Sequence, residues 1–131
     1  MTSEQTTDTG NEPHLARPGS ITYVQIPAAD PRAAGAFYAT VFGWKIRGDD
    51  RHLSFDDRTG NVSGAFVRDR AISREPGILP YVYVDSVDDT LVKATANGAQ
   101  VVTPRYDEGN LWVATIRDPA GNVIGVWQMQ P

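Results

Sequence analysis

From residue 20 onward the apolar positions switch between two periods. Ser20 to Pro27 (SITYVQIP) alternates and is rich in β-branched residues, which predicts a strand. Asp30-Pro31 then reads as a helix N-cap and first helical residue. Ala34, Phe37, Tyr38 and Val41 recur at helical spacing, and Gly43 ends the run. Trp44–Arg47, His52–Asp56 and Val62–Arg68 read as three short strands. The same order then returns. Leu79–Val84 predicts a strand, and Ser86 with Asp89 forms a capping-box pattern. Val87, Leu91 and Ala94 make an apolar stripe that stops at Gly98. Gln100–Thr103, Leu111–Arg117 and Val123–Met129 complete the set as strands, with Arg105 to Glu108 read as a loop. Each half is therefore a βαβββ string, residues 20–68 and 78–130, joined by a polar linker containing Pro76.

The repeat is visible in letters too. Asp57 to Gly64 (DRTGNVSG) matches Asp118 to Gly125 (DPAGNVIG) at five of eight positions, at a lag of 61 residues. A Gly-Asn turn feeding a strand is common by itself. Two of them, each closing a βαβββ string, point to internal duplication.

Composition narrows the picture. Residues 1–18 are polar and lack aromatics, so they read as a disordered tail ahead of a single folded domain spanning 19–131. Glu4, Asp8 and Glu12 against Arg17 place −2 of the −4 net charge in that tail. The folded part is nearly neutral, which argues against a nucleic-acid or anionic-membrane partner. No long apolar run, signal-peptide pattern or cysteine is present, and a cytoplasmic location is the expectation.

Three stretches carry a family resemblance: IPAADPRAAGAFYATVFGWKI from Ile26, PYVYVDSVDD from Pro80, and IRDPAGNVIGVWQ from Ile116. In this order they resemble the vicinal-oxygen-chelate superfamily, in particular its single-domain glyoxalase and bleomycin-resistance members. The resemblance implies an α+β fold in which two βαβββ modules form a curled mixed sheet around a cleft. It also implies a homodimer. Metal-dependent members carry ligands on the first and last strand of each module. Those positions fall here on Tyr23 and Leu79, and on Gly64 and Gly125. None is an imidazole or carboxylate, so no metal and no other cofactor is expected.

Strand parity then assigns faces. Val24 and Ile26, Val82 and Val84, and Ile124 and Val126 should meet the helices. Tyr23, Gln25, Tyr81, Tyr83, Gly125 and Trp127 should face the cleft, as should Gly64 and Phe66 by analogy with the second module. Glycines leave room for a flat ligand, and Tyr and Trp offer apolar area with polar tips. Arg105 is a candidate handle for an anionic group. Trp44 reads as core, Trp112 as facing away from the cleft, His52 as a surface residue, and Asp49-Asp50 and Asp56-Asp57 as solvated turn acids.

The expected function is metal-independent binding of an aromatic or polyketide-like small molecule. The alternatives are a metal-independent isomerase, cyclase or lyase-like enzyme on such a molecule, or a partner-binding domain with a filled cleft. An enzyme would have to use Tyr23, Tyr81 or Tyr83 as acid or base. A phenol near its ordinary pKa of about 10 is poorly matched to proton transfer at neutral pH.

Overall fold

Asp30 and Ser86 each open a helix in the manner their sequence context predicts. In the computed structural model, which describes residues 13–131, the Asp30 side chain accepts from the Ala33 amide, 3.2 Å, and Ser86 from the Asp89 amide, 3.1 Å. The helices are α1 (Pro31–Phe42) and α2 (Val87–Ala96). Gly43 closes α1 in the left-handed conformation at φ 74°, which a side chain would resist.

The chain divides into two compact units, the first ending at Arg70 and the second beginning at Ala71. The first holds β1 (Tyr23–Pro27), α1, β2 (Lys45–Gly48), β3 (Leu53–Asp56) and β4 (Ser63–Val67). The second holds β5 (Tyr81–Tyr83), α2, β6 (Gln100–Glu108), β7 (Leu111–Arg117) and β8 (Val123–Met129). Each unit folds into a four-stranded mixed sheet, ordered β1-β4-β3-β2 and β5-β8-β7-β6. In each, the first strand runs parallel to the last and the other pairs are antiparallel. The fold is α+β with two repeated βαβββ modules, and neither sheet closes into a barrel.

In the first unit, α1 buries Ala34, Phe37, Tyr38 and Phe42, while the sheet supplies Leu53, Phe55 and Phe66. Tyr38 lies 5.7 Å from Phe66, and Trp44, half-buried, stacks between Tyr38 (4.6 Å) and Phe55 (4.7 Å) at the margin of this core. In the second unit α2 packs on β6, β7 and β8, burying Val87 and Ala94. Ala114, Ile116, Ile124 and Val126 form the buried strand face beneath it.

Two boundaries differ from the sequence reading. Residues 1–12 of the expected tail lie outside the described residues, but Pro13–Leu15 form a 3-10 turn. Leu15 is 2% exposed and His14 Nε2 bonds the Gly60 carbonyl at 2.8 Å, so ordered chain begins before Gly19. One leucine suffices to anchor a turn that composition alone marks as unstructured. The expected loop at Arg105–Glu108 is the second half of β6. Pro104 lies inside β6, and β6 is an edge strand, where a missing amide is tolerated. Register shifts between Val101 and Thr103 and between Thr103 and Tyr106 hid the alternation.

The duplicated turns are not superimposable. In the second unit the Asp118 amide bonds the Asn122 carbonyl, while in the first the Asp57 amide bonds that of Val62. The first turn thus holds one more residue. Asp56 pairs with Ser63 and Arg117 with Val123, so β4 matches β8 at a lag of 60 although the turn letters match at 61. A slip of one residue exchanges the faces of a strand.

Candidate functional site

That slip decides which side chains share a face. Phe55 pairs with Gly64 and Leu53 with Phe66, and all four lie on the face toward α1. A Cβ on Gly64 would collide with the Val24 carbonyl and the Phe55 ring. Gly64 and Phe66 therefore belong to the core, contrary to the sequence expectation. The match of Gly64 to Gly125 by letter misplaced them. The residue structurally equivalent to Gly125 is Ala65, paired with Gln25 as Gly125 is paired with Tyr81.

The face of the first sheet away from α1 carries Tyr23, Gln25, Ser63, Ala65 and Asp56. It is polar. Arg47 donates twice to Asp56, from Nε at 3.0 Å and from a terminal nitrogen at 2.9 Å. The Ser63 hydroxyl donates to the same carboxylate at 2.6 Å. The Arg47 hydrogen bond, opposed by partial burial and helped by Ser63, holds the Asp56 carboxyl below its ordinary pKa. Asp56 is thus an internal ion-pair partner rather than a solvated turn acid. Asp57 caps the following turn, and Asp49 caps another by accepting from Arg51 and His52 amides. Asp50 pairs with Arg32 on the surface. His52 is exposed, as expected of a surface residue. Gln25 accepts from Arg70 Nε at 2.6 Å.

The second sheet presents a different face away from α2. Tyr81 pairs with Gly125 and Tyr83 with Trp127, which brings all four together. The Tyr81 ring lies across Gly125, so the room left by the missing side chain is taken by a tyrosine. Tyr83 meets Trp127 edge to face at 4.9 Å. Val113 and Leu111 share this face, and with Tyr81, Glu108 and Trp127 they line a cavity of about 280 Å³. Tyr106 sits beside Tyr81 and Glu108. Partial desolvation, then the proximity of Tyr81 and Glu108, pushes its phenol above the ordinary value. Thr115, opposite Gly125 on this face, is 8% exposed and its hydroxyl has no hydrogen-bond partner.

Arg105 is not part of this group. It lies 4.0 Å over the Trp112 ring and donates to Asp88 at 2.9 Å. Asp88 is on α2, and Trp112 alternates with Leu111 and Val113, so Arg105 serves the helix-side face. Its assignment as a handle in the cleft is corrected, whereas Trp112 faces away as expected. Glu108, Leu111, Val113, Tyr106 and Thr115 were missed. The parity that set Trp112 aside placed Leu111, Val113 and Thr115 on the face with Trp127. Glu108 and Tyr106 were concealed by the register shifts of β6.

The donor set does not fit a transition metal. The first- and last-strand positions are Tyr23 and Ala65 in one unit, Leu79 and Gly125 in the other. One phenol and three side chains without donor atoms do not make a ligand set. Among the described residues no group of three or more His, Cys, Asp or Glu is placed to hold a metal ion. No described helix is long and apolar enough to cross a membrane.

Comparison with known proteins agrees with this architecture. Residues 23–127 match the model of the glyoxalase-like domain. The chain belongs to that family, and with it to the vicinal-oxygen-chelate superfamily. It is 30% identical over 122 residues to CFP32 of Mycobacterium bovis and of Mycobacterium tuberculosis, provisionally named a glyoxylase. That match covers 86% of this chain and 46% of the relative, so the chain spans about half the length of the curated relatives it matches. Among solved structures, TioX from Micromonospora sp. ML1 is similar at 27% identity and TM-score 0.61, over 85% of this chain and 99% of that one. TnmS3, an antibiotic binding protein from Streptomyces sp. CB03234, shares the fold at 24% identity and TM-score 0.66, over 85% and 96%.

Proposed function

We propose that this chain is a metal-independent small-molecule-binding module, and that the face formed by β5, β7 and β8 takes a flat, largely apolar ligand. The observation that carries the reading is the 280 Å³ cavity walled by Tyr81, Leu111, Val113 and Trp127. Its size is close to the lower end for ligand sites, and its apolar walls with few polar groups are typical of them. A fold neighbour described as antibiotic binding gives the same direction. An enzymatic reading is less supported. His52 and His14 belong to the first unit, and Tyr106, the phenol beside the cavity with a displaced pKa, is displaced upward, away from neutrality.

The test is a titration of planar aromatic metabolites and drugs, read by tryptophan fluorescence and calorimetry. Trp127→Ala removes on the order of 150–250 Å² of potential aromatic contact and should weaken binding at least tenfold. His52→Ala, on the other unit's surface, should leave it unchanged. Equal affinity in wild type and Trp127→Ala would place the site elsewhere.

A further inference from the structure

We infer that the ligand of the β5–β7–β8 face carries a positive charge, an amine or amidine attached to a flat ring system, and that Glu108 selects it. The inference rests on the proposed binding site and adds the chemistry that this site discriminates.

Glu108 is the one ionisable carboxylate lining the cavity. Its register partner is Leu111, the first residue of β7, which also lines the cavity. Among the described residues it forms no ion pair with Lys, Arg or His. The basic side chains of β6, β7 and α2 are engaged or remote. Arg105 is three residues away but on the opposite face, paired with Asp88 and stacked on Trp112. Arg117 shares the face but sits at the far end of β7, roughly 20 Å from Leu111 at ~3.3 Å per residue. Lys93 belongs to α2, on the other side of the sheet.

The surroundings of Glu108 reinforce its sign. The Tyr106 phenol beside it is held more firmly protonated, so it serves as a hydrogen-bond donor to a carboxylate rather than as a competing charge. Tyr81 and Trp127 line the same space, and aromatic rings attract cations. A carboxylate against aromatic walls therefore favours a cationic ring over a neutral one. It disfavours an anionic ring, which would meet Glu108 with no compensating cation.

Three probes sharing one tricycle separate the terms: 9-aminoacridine (cationic at neutral pH), acridone (neutral) and acridine-9-carboxylate (anionic). Each is titrated by calorimetry into the full chain at about 50 mM salt. The expected order is cation, then neutral, then anion, with at least tenfold between the first two. Glu108→Gln should bring cation and neutral within about threefold, through a larger loss for the cation than for acridone. Trp127→Ala should weaken all three. Raising the salt to about 0.5 M should narrow the wild-type preference, as screening requires. Equal affinities for the three probes, or a preference that survives Glu108→Gln, would overturn the charge inference while leaving the aromatic-ligand reading intact. No binding by any probe would overturn both.

Discussion

A methyl group added at Gly64 or at Gly125 meets different neighbours. At Gly64 it would strike the Val24 carbonyl, which is backbone, and the ring of Phe55, which is 1% exposed and fixed by Trp44 and Phe66. At Gly125 its nearest neighbours would be atoms of the Tyr81 ring, and Tyr81 is 46% exposed and can swing outward. Overpacking of a rigid core costs about 1–3 kcal/mol and sometimes more. Gly64→Ala should therefore exceed that range or prevent folding. Gly125→Ala should cost on the order of 1 kcal/mol and move Tyr81 into or away from the cavity. Urea unfolding of both variants checks the ranking, and ligand titration of Gly125→Ala reports the displaced ring. Equal losses in the two variants would contradict the separate environments assigned to these glycines. The residue scale is also where the sequence misled most. Gly64 and Phe66 carried the right letters at the right distance from a shared motif, and no letter records that one turn has gained a residue.

Between elements, the Arg47–Asp56–Ser63 group ties β2, β3 and β4 together across one face. In the second unit the buried polar ties are those of the turn, where Asp118 matches Asp57. Asp118 accepts from the Ala120, Gly121 and Asn122 amides, and Asn122 Oδ1 accepts from the Ser73 amide at 2.8 Å. Both Asp118 and Asn122 are almost fully buried. The Asp56 carboxyl has a lower pKa folded than unfolded. Its contribution is thus fully present above the unfolded value of about 4 and is lost as pH falls through the lower folded value. Asp56→Asn should be less stable than wild type at pH 7, and the gap should close below about pH 4. Urea midpoints measured from pH 7 down to about 2.5 follow the difference, and a gap independent of pH would show that the pair contributes no linkage. Capping at Asp30, Ser86 and Gly43 was legible from sequence because it depends on residues within a few positions. The length of β6 was not, because an edge strand with bulges obeys neither the alternation rule nor the usual exclusion of proline.

For the whole molecule, the order of elements, the duplication and the family were readable from periodicity and motifs. The face of the second sheet was legible because no shift intervenes between its turn and β8. Tyr81, Tyr83, Gly125 and Trp127 fell together as strand parity requires. The first and last strands of a βαβββ module are adjacent, so each sheet leaves β1 or β5 as an edge, and both carry exposed tyrosines. Exposed edges with aromatic side chains favour pairing of copies. A homodimer of about twice the 14.3 kDa chain mass is the expected species. Sedimentation velocity at tens of micromolar checks it, and a monomer would contradict it. The extra residue in the first turn has a wider consequence. Gene duplication supplies two identical halves, and substitutions must then alter an inner surface one side chain at a time. A single inserted or deleted codon at the mouth of a strand rotates the whole strand about its axis and exchanges every inward residue for its outward neighbour. Such an event resets only the inward residues of β4, whereas Arg47 and Asp56, which precede the turn on β2 and β3, set the first sheet's charge by their own identity, so the two surfaces differ by a slip and by substitution together.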